Sequence, residues 1–259
     1  MSIPALFVSH GAPTVILDES PVRTFLAKLA DTVEKPKQIL AVSAHWETDH
    51  PVVSDAEKPE TIYDFYGFPD ALYQMTYPAP GAPDLARKTA TLLNDAGLGP
   101  VTTETRGLDH GAWVPMMLGW PDADIPVTQL SIQPQKDPVW HYKLGEALRP
   151  LRDEGVLILA SGNLTHNLRE FRGHNIDDAP EPWASAFDEW ASWAIAEGRT
   201  EDLLDYRRRA PEAVRNHPTD EHLLPLYVAM GAGAPGQAGR HLHKSYTYGV
   251  LAMDAFAFN

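Results

Sequence analysis

The chain of 259 residues predicts an α/β fold, a single domain over 1–259 with a central, mostly parallel or mixed sheet flanked by helices. Three observations carry that expectation. Short runs of continuous apolar residues, bounded by Gly, Pro or Asp, suit strands covered on both faces. Between them lie helical stretches opened by Pro and closed by Gly. The two kinds alternate along the chain, which is the pattern of a layered α/β domain.

The predicted strands cover residues 5–8, 39–44, 125–132 and 156–160. A helix is expected over 84–96, after Pro83 and before Gly97. A second spans 138–148, with Asp137 placed to cap it and Pro138 at its first position. A third covers 183–197, between Pro182 and Gly198. Residues 49–83 show no clear periodicity and carry Tyr63, Phe65, Tyr66, Phe68, Tyr73 and Tyr77, so a functional loop that walls a pocket is expected there. A Gly/Pro/Ala connector at 232–239 precedes a strand-like stretch, 245–258. No internal repeat or linker divides the chain.

Composition narrows the function. Lys and Arg number 21 against 35 Asp and Glu, a net charge of −14, which argues against nucleic acid or an anionic membrane as partner. The chain has no Cys, which excludes disulfides, thiolate nucleophiles and Cys-ligated zinc or iron–sulfur sites. Any metal must be held by imidazole and carboxylate. The start, MSIPALFVSHG, lacks a basic segment, and no run reaches the ~18 apolar residues of a membrane span, so a cytoplasmic protein is expected. The absence of GxSxG, GxxxxGK[ST], HExxH and a helix-opening GxGxxG removes support for serine hydrolases, P-loop NTPases, zincins and Rossmann dehydrogenases.

The eleven histidines are the informative residues. His10 and His45 each end an apolar run, and His166 lies shortly beyond a third, in Ser161-Gly162-Asn163-Leu164-Thr165-His166. In an open α/β sheet the ligand crevice lies at the carboxyl ends of the strands. Three strands thus deliver three imidazoles to one rim, rigid supports suited to a metal that prefers nitrogen and oxygen donors. His110 sits in a glycine-flanked loop that can aim it into a pocket. His222 follows Thr219 and Asp220, either of which can cap a helix, so Glu221 and His222 fall in a first turn about 100° apart. His50, His141, His174, His217, His241 and His243 read as structural or surface residues.

Five motifs, in this order along nearly the whole chain, resemble the class III extradiol ring-cleavage dioxygenases, and more narrowly the DOPA 4,5-dioxygenase-like subgroup. They are Ser9-His10-Gly11-Ala12-Pro13, Ser43-Ala44-His45-Trp46, Leu108-Asp109-His110-Gly111-Ala112-Trp113, Ser161-Gly162-Asn163-Leu164-Thr165-His166-Asn167-Leu168 and Glu221-His222-Leu223-Leu224-Pro225-Leu226. The connecting Ile62-Tyr63-Asp64-Phe65-Tyr66-Gly67-Phe68-Pro69 and Tyr77-Pro78-Ala79-Pro80-Gly81 share the likeness.

The resemblance implies a non-haem metal site with His10 and His45 as ligands and a third ligand near position 222. In the subgroup this is the residue matching His222; in the wider class it is a Glu, which keeps Glu221 as the alternative. His166 matches the family's active-site base, counted in some descriptions as a fourth ligand, and His110 matches a histidine that assists at substrate or oxygen. The implied reaction opens the ring of a small aromatic diol, DOPA-like or related, with O2. Fe(II) is expected for activity, and Zn(II) has the ligand preferences to occupy the same site. Trp46, Tyr63, Phe68 and Trp113 are the candidate pocket aromatics. Two other readings stand beside this one: a zinc-dependent hydrolase using a bound hydroxide, and a non-catalytic binding protein resembling the Memo group. A homodimer is common among such enzymes, although no feature of the sequence shows it.

Overall fold

The computed structural model describes residues 2–259. Ten strands are found: β1 (Ala5–Ser9), β2 (Gln38–Glu47), β3 (Val52–Ser54), β4 (Thr102–Glu104), β5 (Val127–Ile132), β6 (Val156–Gly162), β7 (Arg240–His243), β8 (Tyr246–Thr247), β9 (Leu251–Ala252) and β10 (Ala255–Phe258). Eight of them form one sheet in the order β4-β3-β5-β2-β6-β1-β10-β7, and β8 and β9 pair separately. The four central strands, β5, β2, β6 and β1, are mutually parallel. β10 runs antiparallel to both β1 and β7, and β3 antiparallel to β5, so the sheet is mixed.

The helices are α1 (Pro21–Leu26), α2 (Pro83–Asp95), α3 (His110–Gly119), α4 (Pro138–Leu148), α5 (Pro150–Asp153), α6 (Pro182–Ala196), α7 (Thr200–Leu204), α8 (Tyr206–Arg209), α9 (Ala213–Asn216) and α10 (Leu224–Ala232). They cover both faces of the sheet, which therefore has two cores. Ala5 and Phe7 of β1 point to one, with α2, α4, α6 and α10; Leu6 and Val8 point to the other, with α1 and α3. This double burial is why the central strands read as unbroken apolar runs.

The three predicted helices are present, and Asp137 caps α4 by accepting from the Trp140 N–H at 2.8 Å. Several expectations need correction. The segment 49–83 is not structureless: it contains β3 and a 3-10 turn, Asp70–Gln74. The stretch 245–258 is not one strand but three short ones, because Tyr248 and Gly249 turn the chain at φ 57° and 63°. His110 is not in a loop but opens α3, with the Asp109 side chain capping through Ala112 N–H. His222 lies in the turn just before α10, not in its first helical turn. Among the described residues no helix is long and apolar enough to cross a membrane.

Candidate active site

The carboxyl ends of β1, β2 and β6 meet at one point of the sheet. His10 follows β1 and its N–H donates to the Gly162 carbonyl at the end of β6 (2.9 Å). Gly11 then takes φ +64°, a left-handed conformation that turns the chain away from the strand, and its N–H donates to Asn163 Oδ1 (3.0 Å). His45 is delivered differently. Between the pairs Val42↔Leu130 and Glu47↔Ile132, residues 43–46 of β2 stand opposite Ser131 alone, so the strand bulges where His45 leaves it. His222 arrives from the turn before α10, whose carbonyl accepts the Asn163 N–H (2.9 Å).

These three imidazoles converge through Nε2. His10 and His45 Nε2 are 3.0 Å apart, and His45 and His222 Nε2 3.3 Å apart. Each Nδ1 faces an acceptor instead. His10 Nδ1 donates to Ser161 Oγ (3.0 Å), because the Ser161 hydroxyl proton is already given to the Gly111 carbonyl (2.5 Å). His222 Nδ1 donates to Glu221 Oε1 (3.2 Å), and His45 Nδ1 lies 3.4 Å from Asp64 Oδ2. With every Nδ1 protonated, three bare Nε2 lone pairs point at one another, an arrangement that repels unless a cation lies between them. Bonds of about 2.1 Å at octahedral or tetrahedral angles would separate such nitrogens by about 3.0–3.4 Å, and the observed spacings are 3.0 and 3.3 Å. His10, His45 and His222 therefore fit a transition metal. Burial first, and the neighbouring imidazoles second, push the pKa of His10 far down and that of His45 to about 3; burial and the nearby His166 and His45 do the same to His222. All three are held in the neutral, ligating form.

Glu221, the alternative ligand, stands behind His222 on its Nδ1 side. It is 3.2 Å from His222 Nδ1 and 4.0 Å from His166 Nδ1, away from the Nε2 cluster. His166 stacks on His222, with ring centroids 3.4 Å apart and planes 11° from parallel. Desolvation lowers the His166 pKa to about 4 although Glu221 opposes the shift. On the other side His110 lies 4.0 Å from His45, centroid to centroid. His110 Nδ1 donates to Asp64 Oδ2 (3.0 Å) and its N–H to Oδ1 (2.9 Å). Burial alone would raise the Asp64 carboxyl, but the His110 hydrogen bonds and the two imidazoles outweigh it and hold it near 2. Asp64 was not legible as a site residue: the signal is a carboxylate behind two imidazoles, and nothing in the chain order pairs position 64 with 45 and 110.

Beneath this layer Asp109, fully buried, accepts from Ser43 Oγ (2.6 Å) and from Gln129, and burial raises its pKa. Ser43 Oγ also accepts the His45 N–H at 3.2 Å, so the network anchors the bulge of β2.

Above the five histidines opens a cavity of about 450 Å³ whose walls include Phe65, Phe68, Leu168, Phe171 and Tyr248. Of the four aromatics expected there, Phe68 lines the cavity and three do not. Trp46 is buried under the Arg106 guanidinium (5.0 Å). Trp113 is fully buried and donates to the Ile62 carbonyl (3.0 Å), and Tyr63 packs on the same core with its hydroxyl on the Met75 carbonyl (2.7 Å). Large aromatics next to motif histidines are core, whereas Phe65 and Phe68 of segment 49–83 wall the cavity as that segment was expected to, and Phe171 and Tyr248 join them without a local signal. Among the remaining histidines, His141 accepts the Gln133 N–H (3.2 Å) and His241 pairs with Asp254 (2.6 Å), in keeping with structural roles.

The imidazoles gathered at the strand ends could hold a metal ion, and comparison with known proteins makes the class specific. Residues 4–256 match the family described as the catalytic LigB subunit of aromatic ring-opening dioxygenase, and the chain belongs to that family. It is 46% identical over 256 residues to the 4,5-DOPA dioxygenase extradiol of Beta vulgaris, covering 97% of this chain and 95% of that one. The protein of the same name from Escherichia coli (strain K12) is 43% identical over 235 residues, 89% of this chain and 85% of the relative. A crystal structure of an uncharacterized Escherichia coli K12 protein superposes with a TM-score of 0.82 at 36% identity, covering 99% of this chain and all of that one. The chain is an extradiol aromatic ring-opening dioxygenase.

Proposed function

We propose that the chain opens the ring of a small catechol with O2, with Fe(II) held by His10, His45 and His222 and with His166 and His110 handling protons. The observation that carries this reading is the convergence of three bare Nε2 atoms on the floor of an aromatic-walled cavity, with two further imidazoles beside them. Fe(II) in that cradle would supply Lewis acidity toward the catechol oxygens and one-electron chemistry toward O2; Zn(II) suits the same donors but supplies only the first.

The chain's own groups do the rest. His166 is neutral at pH 7 and so accepts a catechol hydroxyl proton. Its stacking on His222 fixes the ring plane, and Glu221 at 4.0 Å stabilises the imidazolium that results. His110 keeps Nδ1 committed to Asp64, which leaves Nε2 as the nitrogen that exchanges a proton with the substrate. Phe65, Phe68 and Phe171 hold the substrate ring and keep water from the reacting atoms.

Protein loaded anaerobically with Fe(II), then given catechol and air, is expected to form a yellow ring-opened semialdehyde and to consume one O2 per ring. Protein of verified iron content that does neither across a catechol panel would overturn the reading.

A further inference from the structure

Among the described residues three asparagines are buried, and one of them is only half used. Asn167 donates its Nδ2 to the Arg215 carbonyl (2.5 Å), and Asn216 donates to the carbonyls of Trp183 and Glu212 (3.1 Å each). Asn163 is as deeply placed, at 2% exposure, and its Oδ1 accepts the Gly11 N–H at 3.0 Å. That bond fixes which end of the amide is which, because an oxygen must face a backbone donor. Nδ2 is thereby turned the other way, and among the described residues it has no acceptor. Asn163 lines the cavity, and it is the one amide side chain that does. A buried donor without an acceptor costs free energy, which an arriving oxygen restores.

The position is rigid and lies at the level of the metal cradle. The Asn163 N–H donates to the His222 carbonyl (2.9 Å), and the preceding Gly162 carbonyl accepts the His10 N–H (2.9 Å). The following Leu164 N–H donates to Ser9 Oγ (3.1 Å). A Cβ on Gly162 would strike the His222 carbonyl, so the two segments touch backbone to backbone. Asn163 is thus tied to both turns that carry His10 and His222, whereas Leu168, Phe171 and Tyr248 wall the cavity from other segments. Its amide therefore meets the diol end of a catechol rather than a substituent on the ring. The floor it borders is rich in lone pairs, since the Nδ1 atoms of His10, His45 and His222 face Ser161, Asp64 and Glu221. An ionised catechol brings more lone pairs and a negative charge, and a preorganised N–H is what its oxygens need there. We infer that Asn163 is a substrate-binding residue, its Nδ2 donating a hydrogen bond to an oxygen of the ionised catechol. This rests on the ring-cleaving reading of the same cavity.

The test uses 4-nitrocatechol and the Zn(II)-loaded protein, in which no turnover occurs; the visible band of the ligand reports how far its hydroxyls are ionised. Asn163→Asp keeps an oxygen for the Gly11 N–H and removes the donor, while Asn163→Ala removes the donor without adding charge. With the metal site saturated, both are expected to raise Kd at least about tenfold and to raise the pH at which the bound ligand ionises. An unchanged Kd and band in Asn163→Ala would overturn the inference, and any loss in Asn163→Asp would then be charge repulsion alone. A measurement on the parent chain needs neither variant to fold: the side-chain amide proton of Asn163, assigned by NMR, is expected to move downfield when 4-nitrocatechol binds. A signal that stays in place would overturn the inference. If Kd and the amide signal respond while the Fe(II) protein opens no catechol, ring cleavage fails and the role of Asn163 in binding stands. If the Fe(II) protein opens catechols and both variants match the parent in KM and kcat/KM, that role fails and ring cleavage stands.

Discussion

At the scale of single residues, the second ring nitrogen of each histidine decides what the first can do. Ser161 illustrates this. Its hydroxyl proton goes to Gly111, so its lone pair holds the proton of His10 on Nδ1 and frees Nε2. Ser161→Ala is expected to weaken metal binding by about 10–100-fold, measured by competition with a chelator; unchanged affinity would remove Ser161 from this role. His166 acts on substrate protons, so His166→Gln is expected to keep its metal while kcat falls by about 10²–10⁴-fold. A variant that loses metal and activity together would instead count His166 among the ligands. The sequence pointed to His10, His45 and His166 because each closes an apolar run, a local signal. The placement of Asp64 is not local: its partners lie at 45 and 110, joined to it only by the fold.

At the scale of elements, what was legible follows from exposure. α2 and α4 have one apolar side and one wet side, which writes a 3.6-residue period into the chain. α10 is buried along all nine residues and α3 over most of its ten, with Pro115 inside, so neither carries a period; α3 was not predicted, and α10 was expected only from the capping residues Thr219 and Asp220, without bounds. α10 is also the helix that follows His222, and it lies tightly against α4. A Cβ on Gly231 would strike the Tyr142 carbonyl and reach 3.0 Å from the Glu146 nitrogen, while one on Gly145 would strike the Val228 carbonyl. Gly231→Ala should therefore force the helices apart, costing about 1–3 kcal/mol and lowering the melting temperature by about 2–4 °C for each kcal/mol. A thermal melt equal to that of the parent chain would show that the two helices give way without strain.

At the scale of the whole molecule, acid sensitivity follows from burying imidazoles. His141, far from the metal cradle, is sealed in α4, and desolvation holds its pKa at about 4 against 6.5 for an exposed ring, although the Asp137 carbonyl opposes the shift. The folded state keeps the ring neutral while the unfolded chain protonates below pH ~6.5, so stability is complete above that pH and falls as pH drops toward about 4. The loss over that window is about 3 kcal/mol. His141→Gln is expected to be less stable at pH 7.5 yet to lose less between pH 6.5 and 4.5; equal losses in the two proteins would place the acid sensitivity elsewhere. Of the cavity walls, Phe65 and Phe68 were legible in the aromatic-rich segment 49–83, but Thr14, Phe171 and Tyr248 were not, since they come from separate stretches that only the finished fold assembles. The position of β1 between β6 and β10 has a consequence for synthesis. On the ribosome, the strand that leads into His10 is made before both of its neighbours, and it must wait for Val156–Gly162 on one flank and Ala255–Phe258 on the other. The imidazole cluster thus cannot acquire its shape until both flanking strands have been made, and any metal it takes up must arrive after that.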